Sequence, residues 1–401
     1  MFEQIEAASH DPILGLTEQF SADSRTNKIN LGIGVYTDET GQTPILKSVK
    51  KAEKILLEQE KSKNYLSIDG MTNFSTYTQA LLFGEKNKIF EENRIRTVQT
   101  PGGTSALRIA ADLLATKTKN KRIWISSPSW PNHKNIFMVA GLEVCEYPWW
   151  ESNTHTLSFD KLVCYLKNKV HPGDIVLFHG CCHNPTGIDP NREEWKELAL
   201  FCQKNHCLAF FDFAYQGFDK NLEEDARGLQ LFTKYNEELL VASSYSKNMG
   251  LYNERVGSLT LIAQNNNVAN RVLSQLKAII RTSYSNPPAH GAAIVSTILK
   301  NDNLNQLWQN ELSWMRDRIT KMRSLFVSSL KKKGIQRDFS FITKQHGMFS
   351  YSGLSSQHVL RLRKEFGIYF LNNGRINVAG MTTQNMDFLC NAIGSVLFTK
   401  E

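Results

Sequence analysis

Between residues 122 and 242 the chain alternates short apolar runs with helical segments, and this alternation restricts the fold more than any other feature. The runs typical of buried strands occupy residues 122–125, 175–178, 208–211 and 239–242. A helical pattern such as that of residues 192–202 lies between two of these runs. Such alternation predicts an α/β fold with a mainly parallel sheet covered by helices. Ligands bind such sheets at the carboxyl ends of the strands, so the residues directly after each run are the functional candidates.

The pattern changes near residue 311, which predicts a second, smaller α+β domain. An apolar stripe at helical spacing extends from Leu312 to Leu330 and ends at Gly334. Strand-like segments follow at 339–341, 348–349, 367–370 and 376–378. The last two flank residues 372–374, a predicted hairpin turn. Because 401 residues exceed the size of one ordinary core, we predict two domains. We place the large domain at 45–312 and the small domain at 313–401, with an N-terminal arm and part of the small domain at 1–44.

The segment after the last apolar run contains the side chain around which the other candidates are arranged. Lys247 follows a predicted buried strand, between hydroxyls at Ser244 and Ser246 and an arginine at Arg255. A lysine in this position suits covalent catalysis, in which its amine forms a Schiff base with an aldehyde cofactor. Pyridoxal phosphate is the aldehyde cofactor that also acts as an electron sink.

Side chains after the neighbouring strands provide partners for such a cofactor. Asp212 ends a buried strand and would pair with the pyridinium nitrogen. Tyr215 and Asn184 could hydrogen-bond to the phenolic oxygen, and Trp130 offers a ring face for stacking.

A phosphate site is predicted where a glycine pair opens an alanine-rich helix. Gly103 and Thr104 stand at this helix start, where free N–H groups and the positive end of the helix dipole can hold an anion. Ser244, Ser246 and Arg255 would complete the site. A capped helix start without a ligand explains residues 99–115 equally well, and the stretch alone leaves both possibilities open.

Three other motif interpretations fail on neighbouring residues. Residues 29–36 resemble half of a dinucleotide fingerprint, but Thr37 replaces the third glycine and an acidic segment follows. Residues 244–247 fit S-x-x-K, yet the chain has neither S-D-N nor K-T-G. Residues 179–183 resemble a metal cluster, but adjacent cysteines rarely ligate one ion and no C-x-x-C partner exists. We therefore predict no metal site.

Charge and cysteine content restrict the partners and the compartment. The net charge of +8 comes from basic residues spread along the chain, and the densest run, residues 331–333, ends an amphipathic helix. We therefore predict no nucleic-acid partner. No apolar segment approaches the length that spans a bilayer, so no membrane association is expected. Seven cysteines without a secretory leader predict reduced thiols and a cytoplasmic location.

Five segments together resemble the class I aspartate aminotransferases, pyridoxal-phosphate enzymes of fold type I. These segments are residues 129–133, 179–187, 212–217, 243–255 and 284–288. The resemblance covers essentially the whole chain. It implies a seven-stranded, mainly parallel sheet in the large cofactor-binding domain, a small domain built from both chain ends, and a homodimer with shared active sites. The implied reaction is the reversible ping-pong transfer of an amino group between L-aspartate and 2-oxoglutarate, giving oxaloacetate and L-glutamate.

The resemblance also assigns roles at the cofactor. Lys247 would form the Schiff base and carry the proton of the 1,3-shift, and Asp212 would pair with the pyridinium nitrogen. His133 and His179 would support Asp212. Trp130 would lie against both cofactor and substrate.

The substrate contacts rest on the resemblance alone. Arg375 would bind the substrate α-carboxylate, helped by Asn184 and the Gly34 backbone. Arg281 of the neighbouring subunit would bind the distal carboxylate, and the neighbour's Tyr65 would reach the cofactor phosphate.

Two alternatives to an aspartate enzyme exist. The first is an aromatic-amino-acid aminotransferase of the same family. Positions that separate the two branches match the aspartate side at Val35, Thr43, Asn64, Thr104 and Asn286, whereas Thr37 matches neither. We expect aspartate and glutamate as substrates, with some aromatic activity because Arg281 could swing aside. The second alternative, suggested by the positive charge, is a non-catalytic nucleic-acid-binding protein on the same fold.

Overall fold

The computed structural model describes residues 1–7 and 14–398 and divides into two compact units. One unit is formed by residues 44–317, and the other combines residues 1–43 with 318–401. The assignment of a cofactor-binding domain and a smaller domain to these parts stays a prediction.

Both units contain strands. They are β1 (Ile29–Asn30), β2 (Ile95–Pro101), β3 (Arg122–Ser127), β4 (Glu143–Pro148), β5 (Trp150–Glu151), β6 (Thr156–Leu157), β7 (Ile175–His179), β8 (Leu208–Phe213), β9 (Leu239–Ser244), β10 (Val256–Ile262), β11 (Phe349–Tyr351), β12 (Ile368–Tyr369) and β13 (Arg375–Asn377).

Helices account for most of the remaining regular structure. They are α1 (Leu14–Ala22), α2 (Lys47–Gln59), α3 (Thr72–Phe83), α4 (Lys88–Glu91), α5 (Gly102–Lys117), α6 (Pro131–Val139), α7 (Phe159–Lys169), α8 (Arg192–Lys204), α9 (Leu222–Tyr235), α10 (Asn266–Ser283), α11 (Ala289–Lys300), α12 (Asp302–Lys332), α13 (Ser356–Phe366) and α14 (Met386–Phe398). Short 3-10 turns occur at Phe2–Gln4, Ser340–Lys344 and Val378–Gly380.

The larger unit is built on a seven-stranded sheet in the order β2-β10-β9-β8-β7-β3-β4. Only β10 runs antiparallel to its neighbours, and the strands β9, β8, β7, β3 and β4 pair in parallel. Each of the four predicted apolar runs lies inside one of these parallel strands. The predicted α/β fold with a mainly parallel seven-stranded sheet is therefore confirmed.

The central strands are apolar until they reach their carboxyl ends because helices cover both faces of the sheet. Phe210 of β8 meets Phe137 of α6 on one face, with ring centroids 6.2 Å apart. The next residue, Phe211, points to the opposite face, where its ring centroid lies 4.9 Å from that of Phe232 in α9. Both layers of helices therefore bury apolar side chains against the sheet. Within the described residues, none of the helices has the length and apolar character needed to cross a membrane.

The smaller unit contains two short sheets, and two predictions about it were wrong. Residues 339–341 do not form a strand: Phe339 caps a 3-10 turn that begins at Ser340, where the Asp338 carboxylate accepts the Ser340 N–H at 2.7 Å. A turn does form at residues 371–374, where the Gly374 N–H donates to the Leu371 carbonyl at 2.9 Å. The flanking strands do not pair as a hairpin, however, since β12 pairs with β1 and β13 pairs with β11.

Candidate active site

The carboxyl ends of β8 and β9 bring the central candidate residues together. Asp212 lies near the end of β8, and Lys247 lies in a turn three residues after β9. The Nζ atom of Lys247 is 5.4 Å from the centroid of the Tyr215 ring. Lys247 also lowers the pKa of Asp212, so its charge reaches that carboxylate. The three predicted catalytic residues therefore form one cluster, which we call the Lys247 cluster.

Asp212 remains ionised in a buried position because its partners outweigh the cost of burial. Burial raises the pKa of this carboxyl group, but a hydrogen bond from His133 and electrostatic interactions with His133, His179 and Lys247 together lower it by more. The net result is a pKa below the ordinary value for aspartate. A carboxylate that is charged at neutral pH can hold a proton on a pyridine nitrogen.

A chain of hydrogen bonds sets the orientation of the His133 ring. The Asn184 N–H donates to Nδ1 of His179 at 3.3 Å, which leaves the proton of this neutral ring on Nε2. That nitrogen lies 3.2 Å from the Ser129 hydroxyl, which in turn lies 2.9 Å from Nδ1 of His133. His133 therefore presents its Nε2–H to Asp212. Burial and the nearby His133 lower the pKa of His179 to about 3, so His179 stays neutral.

The start of α5 and the segment after β9 form a concave polar site. Helix α5 begins at Gly102, and its N-cap residue, Pro101, supplies no side-chain hydrogen bond. A Cβ atom at Gly102 would lie 2.5 Å from Nη2 of Arg255, and one at Gly103 would lie 3.2 Å from Cβ of Ser244. The Nη1 atom of Arg255 is 3.5 Å from the Ser246 hydroxyl. The helix start, two hydroxyls and a guanidinium therefore converge, which supports the anion-binding alternative.

Gly257 makes this convergence possible. A Cβ atom there would lie 2.6 Å from the Ser243 carbonyl oxygen, 2.7 Å from the Gly102 carbonyl carbon and 2.9 Å from the Gly103 nitrogen. All three neighbours are backbone atoms, so no side chain fits without displacing the helix start. Neither Gly257 nor Ser129 had a role predicted from the sequence. For Ser129 the available signal was its place after a predicted strand.

Trp130 and Asn184 lie next to the same hydrogen-bond chain. Trp130 is the N-cap residue of α6, and its ring meets His133 edge-on with centroids 5.2 Å apart. Asn184 is buried, and its backbone is bound to His179 as described above. Both residues are therefore held beside the support of Asp212.

The residues that resembled a metal cluster have hydrogen-bonding and packing roles. His183 bonds at 2.8 Å to both Ser126 and Thr186, and its ring stacks on Trp149 with centroids 4.4 Å apart. Burial raises the pKa of the Cys182 thiol to about 12, and that cysteine donates its N–H to Asp189. Across residues 1–7 and 14–398 no group of three or more metal-ligating side chains is arranged to hold an ion.

Tyr65 and Arg281, both predicted to act in a neighbouring subunit, lie on connected segments of the larger unit. Tyr65 is 93% exposed. The next residue, Leu66, accepts a hydrogen bond from Asn286 at 2.9 Å, and Asp69 pairs with Lys277 at 2.8 Å. Arg281 is exposed at the end of α10 and donates to Ser285. These contacts join the two segments to each other and not to the Lys247 cluster.

Gly34 and Arg375 belong to the smaller unit, where they approach each other. Arg375 is only 2% exposed, and its Nη2 donates to the Gly32 carbonyl at 2.6 Å. Its guanidinium carbon lies 4.2 Å from the centroid of the Phe349 ring. A Cβ atom at Gly34 would lie 3.2 Å from the same ring. A buried arginine therefore lies beside the loop that contains Gly34.

The α/β fold, with the Lys247 cluster at the carboxyl ends of its strands, agrees with the class of enzyme that the sequence predicted. The family model for aminotransferase class I and II matches residues 26–393. The chain belongs to this family and is an aminotransferase. The predicted resemblance is therefore confirmed, and the alternative of a non-catalytic binding protein is set aside.

Individual proteins match the chain over its whole length. It is 60% identical over 397 residues to the aspartate aminotransferase of Escherichia coli K12, covering 99% of this chain and all of the relative. The crystal structure of an aromatic-amino-acid aminotransferase from Burkholderia pseudomallei, covalently bound to pyridoxal phosphate, superposes with a TM-score of 0.96 at 48% identity and covers 99% of both chains. The cytoplasmic aspartate aminotransferase of Saccharomyces cerevisiae superposes with a TM-score of 0.97 at 35% identity, covering 100% of this chain and 99% of that one.

Proposed function

We propose that this protein is a pyridoxal-phosphate-dependent aspartate aminotransferase. It transfers the amino group reversibly between L-aspartate and 2-oxoglutarate in a ping-pong cycle that yields oxaloacetate and L-glutamate. The observation that carries the proposal is the Lys247 cluster, in which one amine, one ionised buried carboxylate and one phenol meet at the end of two parallel strands. The whole-length identity with an aspartate aminotransferase supports the choice of substrate.

The residues fit the chemical parts of pyridoxal phosphate. The anion cradle of Gly103, Thr104, Ser244, Ser246 and Arg255 suits the phosphate. Asp212 suits the pyridinium nitrogen, and Tyr215 and Asn184 suit the phenolic oxygen. When bound, this cofactor supplies an aldehyde that takes up the amino group and a ring that withdraws electrons from the substrate Cα.

The protein's own groups bind, orient and move protons. The amine of Lys247 would hold the cofactor covalently and, when free of it, would accept the proton from the substrate Cα. Asp212 keeps the ring nitrogen protonated, while His133 and His179 keep Asp212 ionised and in place. Trp130 would stack on the ring of the cofactor and exclude water from it.

Two arginines select the substrate in this proposal. Arg375 binds the α-carboxylate with the help of Asn184 and the Gly34 N–H, and Arg281 binds the distal carboxylate. Arg281 and Tyr65 act in the site of a neighbouring subunit, so the active protein is a homodimer. Their exposed positions on connected segments support this arrangement.

All seven cysteines are free thiols, which supports a cytoplasmic location.

Half-reaction kinetics on one preparation test this proposal. We expect the spectrum of the purified protein to change with aspartate or glutamate and to revert with 2-oxoglutarate, with slower change for tyrosine and phenylalanine. Lys247→Ala should abolish turnover, whereas Lys204→Ala, which removes an exposed lysine from α8, should leave it unchanged. Turnover by Lys247→Ala at the wild-type rate would overturn the proposal.

A further inference from the structure

Residues 31–35 form an irregular segment whose shape is imposed by side chains far along the chain. The segment follows β1 and contains Gly34, whose N–H is proposed to bind the substrate α-carboxylate. Such a contact requires a fixed peptide orientation, and a segment outside helices and strands does not supply one by itself. The residues that hold the segment therefore matter for substrate binding.

Asn377 holds the peptide bond before Gly34 and the peptide bond after Val35. Its side-chain Nδ2 donates to the Ile33 carbonyl at 2.8 Å and to the Val35 carbonyl at 2.7 Å. Its backbone N–H donates to the Leu31 carbonyl at 2.8 Å, and its Oδ1 accepts the Ala379 N–H at 3.0 Å. The residue is 2% exposed, so these bonds are shielded from water. Both N–H groups of the Asn377 side chain therefore bind carbonyls of the 31–35 segment.

These bonds set the direction of the Gly34 N–H. The Ile33 carbonyl and the Gly34 N–H belong to one planar trans peptide and point in opposite directions. Because Asn377 binds that carbonyl, the Gly34 N–H faces away from Asn377. The second bond, to the Val35 carbonyl, holds the peptide between residues 35 and 36 and so fixes the other end of the segment.

The same strand carries Arg375 on the same face. Residues two apart on a strand share a face, so Arg375 and Asn377 of β13 both point to the 31–35 segment. Arg375 donates to Gly32 while Asn377 donates to Ile33 and Val35. Phe349 pairs with Asn377 in the β11–β13 register, and its ring lies under the Arg375 guanidinium. One strand pair thus fixes both proposed donors to the α-carboxylate.

We propose that Asn377 is a positioning residue for the substrate α-carboxylate. It acts by orienting the Gly34 peptide and by aligning that peptide with Arg375 on the same strand. This inference rests on the proposed function. The positioning role requires a neutral amide with two N–H donors at position 377. An aspartate of the same shape would keep the bond to Ala379 but would place an acceptor against two carbonyl oxygens.

The test separates substrate binding from chemistry in the Asn377→Asp and Asn377→Ser holoenzymes. We expect the substrate dissociation constant in the half-reaction to rise at least about tenfold, by the same factor for aspartate and tyrosine, because both carry an α-carboxylate. The limiting rate should change less than the dissociation constant. The reaction of the bound cofactor with hydroxylamine, which has no carboxylate, should keep its wild-type rate.

Asn385→Asp is the matched control. Asn385 lies in the same unit and bonds to the Thr382 N–H at 2.9 Å and the Gly380 carbonyl at 3.3 Å, but not to residues 31–35. Its substitution should leave the substrate dissociation constant unchanged. Wild-type affinity in both Asn377 variants, or unequal losses for aspartate and tyrosine, would overturn the inference alone. Absence of any half-reaction in the wild-type protein would instead overturn the proposed function.

Discussion

The Nε2 atom of His133 lies 2.8 Å from Oδ2 of Asp212, while Nδ1 of the same ring lies 2.9 Å from the Ser129 hydroxyl. The ring therefore has a partner at each nitrogen, and its proton faces the carboxylate. His133 helps to keep the buried Asp212 anionic, and Ser129 fixes the orientation of the His133 ring. This arrangement supports a charge-dependent role for Asp212.

Asp212→Asn should lower kcat by at least about 100-fold, because a neutral amide cannot hold a proton on the cofactor nitrogen. Asp212→Glu keeps the charge and should retain more activity than the asparagine variant. Steady-state rates with aspartate and 2-oxoglutarate measure both effects at saturating cofactor. Equal rates for Asp212→Asn and the wild type would show that the charge is not needed.

The buried histidines should make folding sensitive to acid. The folded-state pKa of His179 is about 3, against an ordinary value of 6.5, and that of His183 is also depressed by burial. Between these values the unfolded chain binds protons that the folded chain does not, so stability falls as the pH is lowered. The slope should reach about 1.4 kcal/mol per pH unit for each such histidine. Urea unfolding across this range should show a shallower slope for His179→Asn, and an identical slope would contradict the assignment.

Gly257→Ala should destabilise the cofactor site, because the added methyl group would meet three backbone atoms at 2.6–2.9 Å. Overpacking of this kind costs about 1–3 kcal/mol, and the displaced helix start should also weaken cofactor binding. Thermal unfolding with and without pyridoxal phosphate measures both effects. Gly394→Ala is the control, since the nearest atoms to its Cβ lie at 3.4–3.7 Å. A Gly257 variant that binds cofactor like the wild type would show that the close approach is dispensable.

Arg281→Ala should reduce the specificity constant for aspartate by at least about 30-fold, because the distal carboxylate loses its charged partner. The constant for phenylalanine, which has no distal carboxylate, should change far less. Arg271→Ala removes another exposed arginine from α10 and should affect neither substrate. Equal losses for aspartate and phenylalanine in Arg281→Ala would contradict the proposed role.

The sequence predicted four of the parallel strands, β3, β7, β8 and β9, but missed β4 as well as β2 and β10. The four predicted strands contain continuous apolar runs, whereas two glutamates interrupt β4, and β2 and β10 bury polar side chains that satisfy one another. Thr97 of β2 bonds to Thr260 of β10 at 2.8 Å, and these residues are directly paired in register. Ser243 and Ser258 bond in the same way across β9 and β10, at 2.6 Å. A search for apolar runs cannot find strands whose polar residues become buried only after pairing.

The site candidates could be predicted where they directly follow a strand, as Lys247 does, or lie near its end, as Asp212 does. Ser129 follows a strand as well, but its role required knowing that two histidines from different segments meet at its hydroxyl. Asn377 gave no local signal, since its partner Ile33 is 344 positions away. Long-range hydrogen bonds of this kind appear only when the chain is folded.

Borohydride reduction can show whether Lys247 holds the cofactor covalently. Reduction makes a link between a lysine amine and the cofactor aldehyde irreversible, so mass spectrometry of the digested protein can locate it. We predict one phosphopyridoxyl group per chain, on Lys247, and none when the protein is first converted with excess aspartate. A label on another lysine, or no label on the cofactor-loaded protein, would contradict the account.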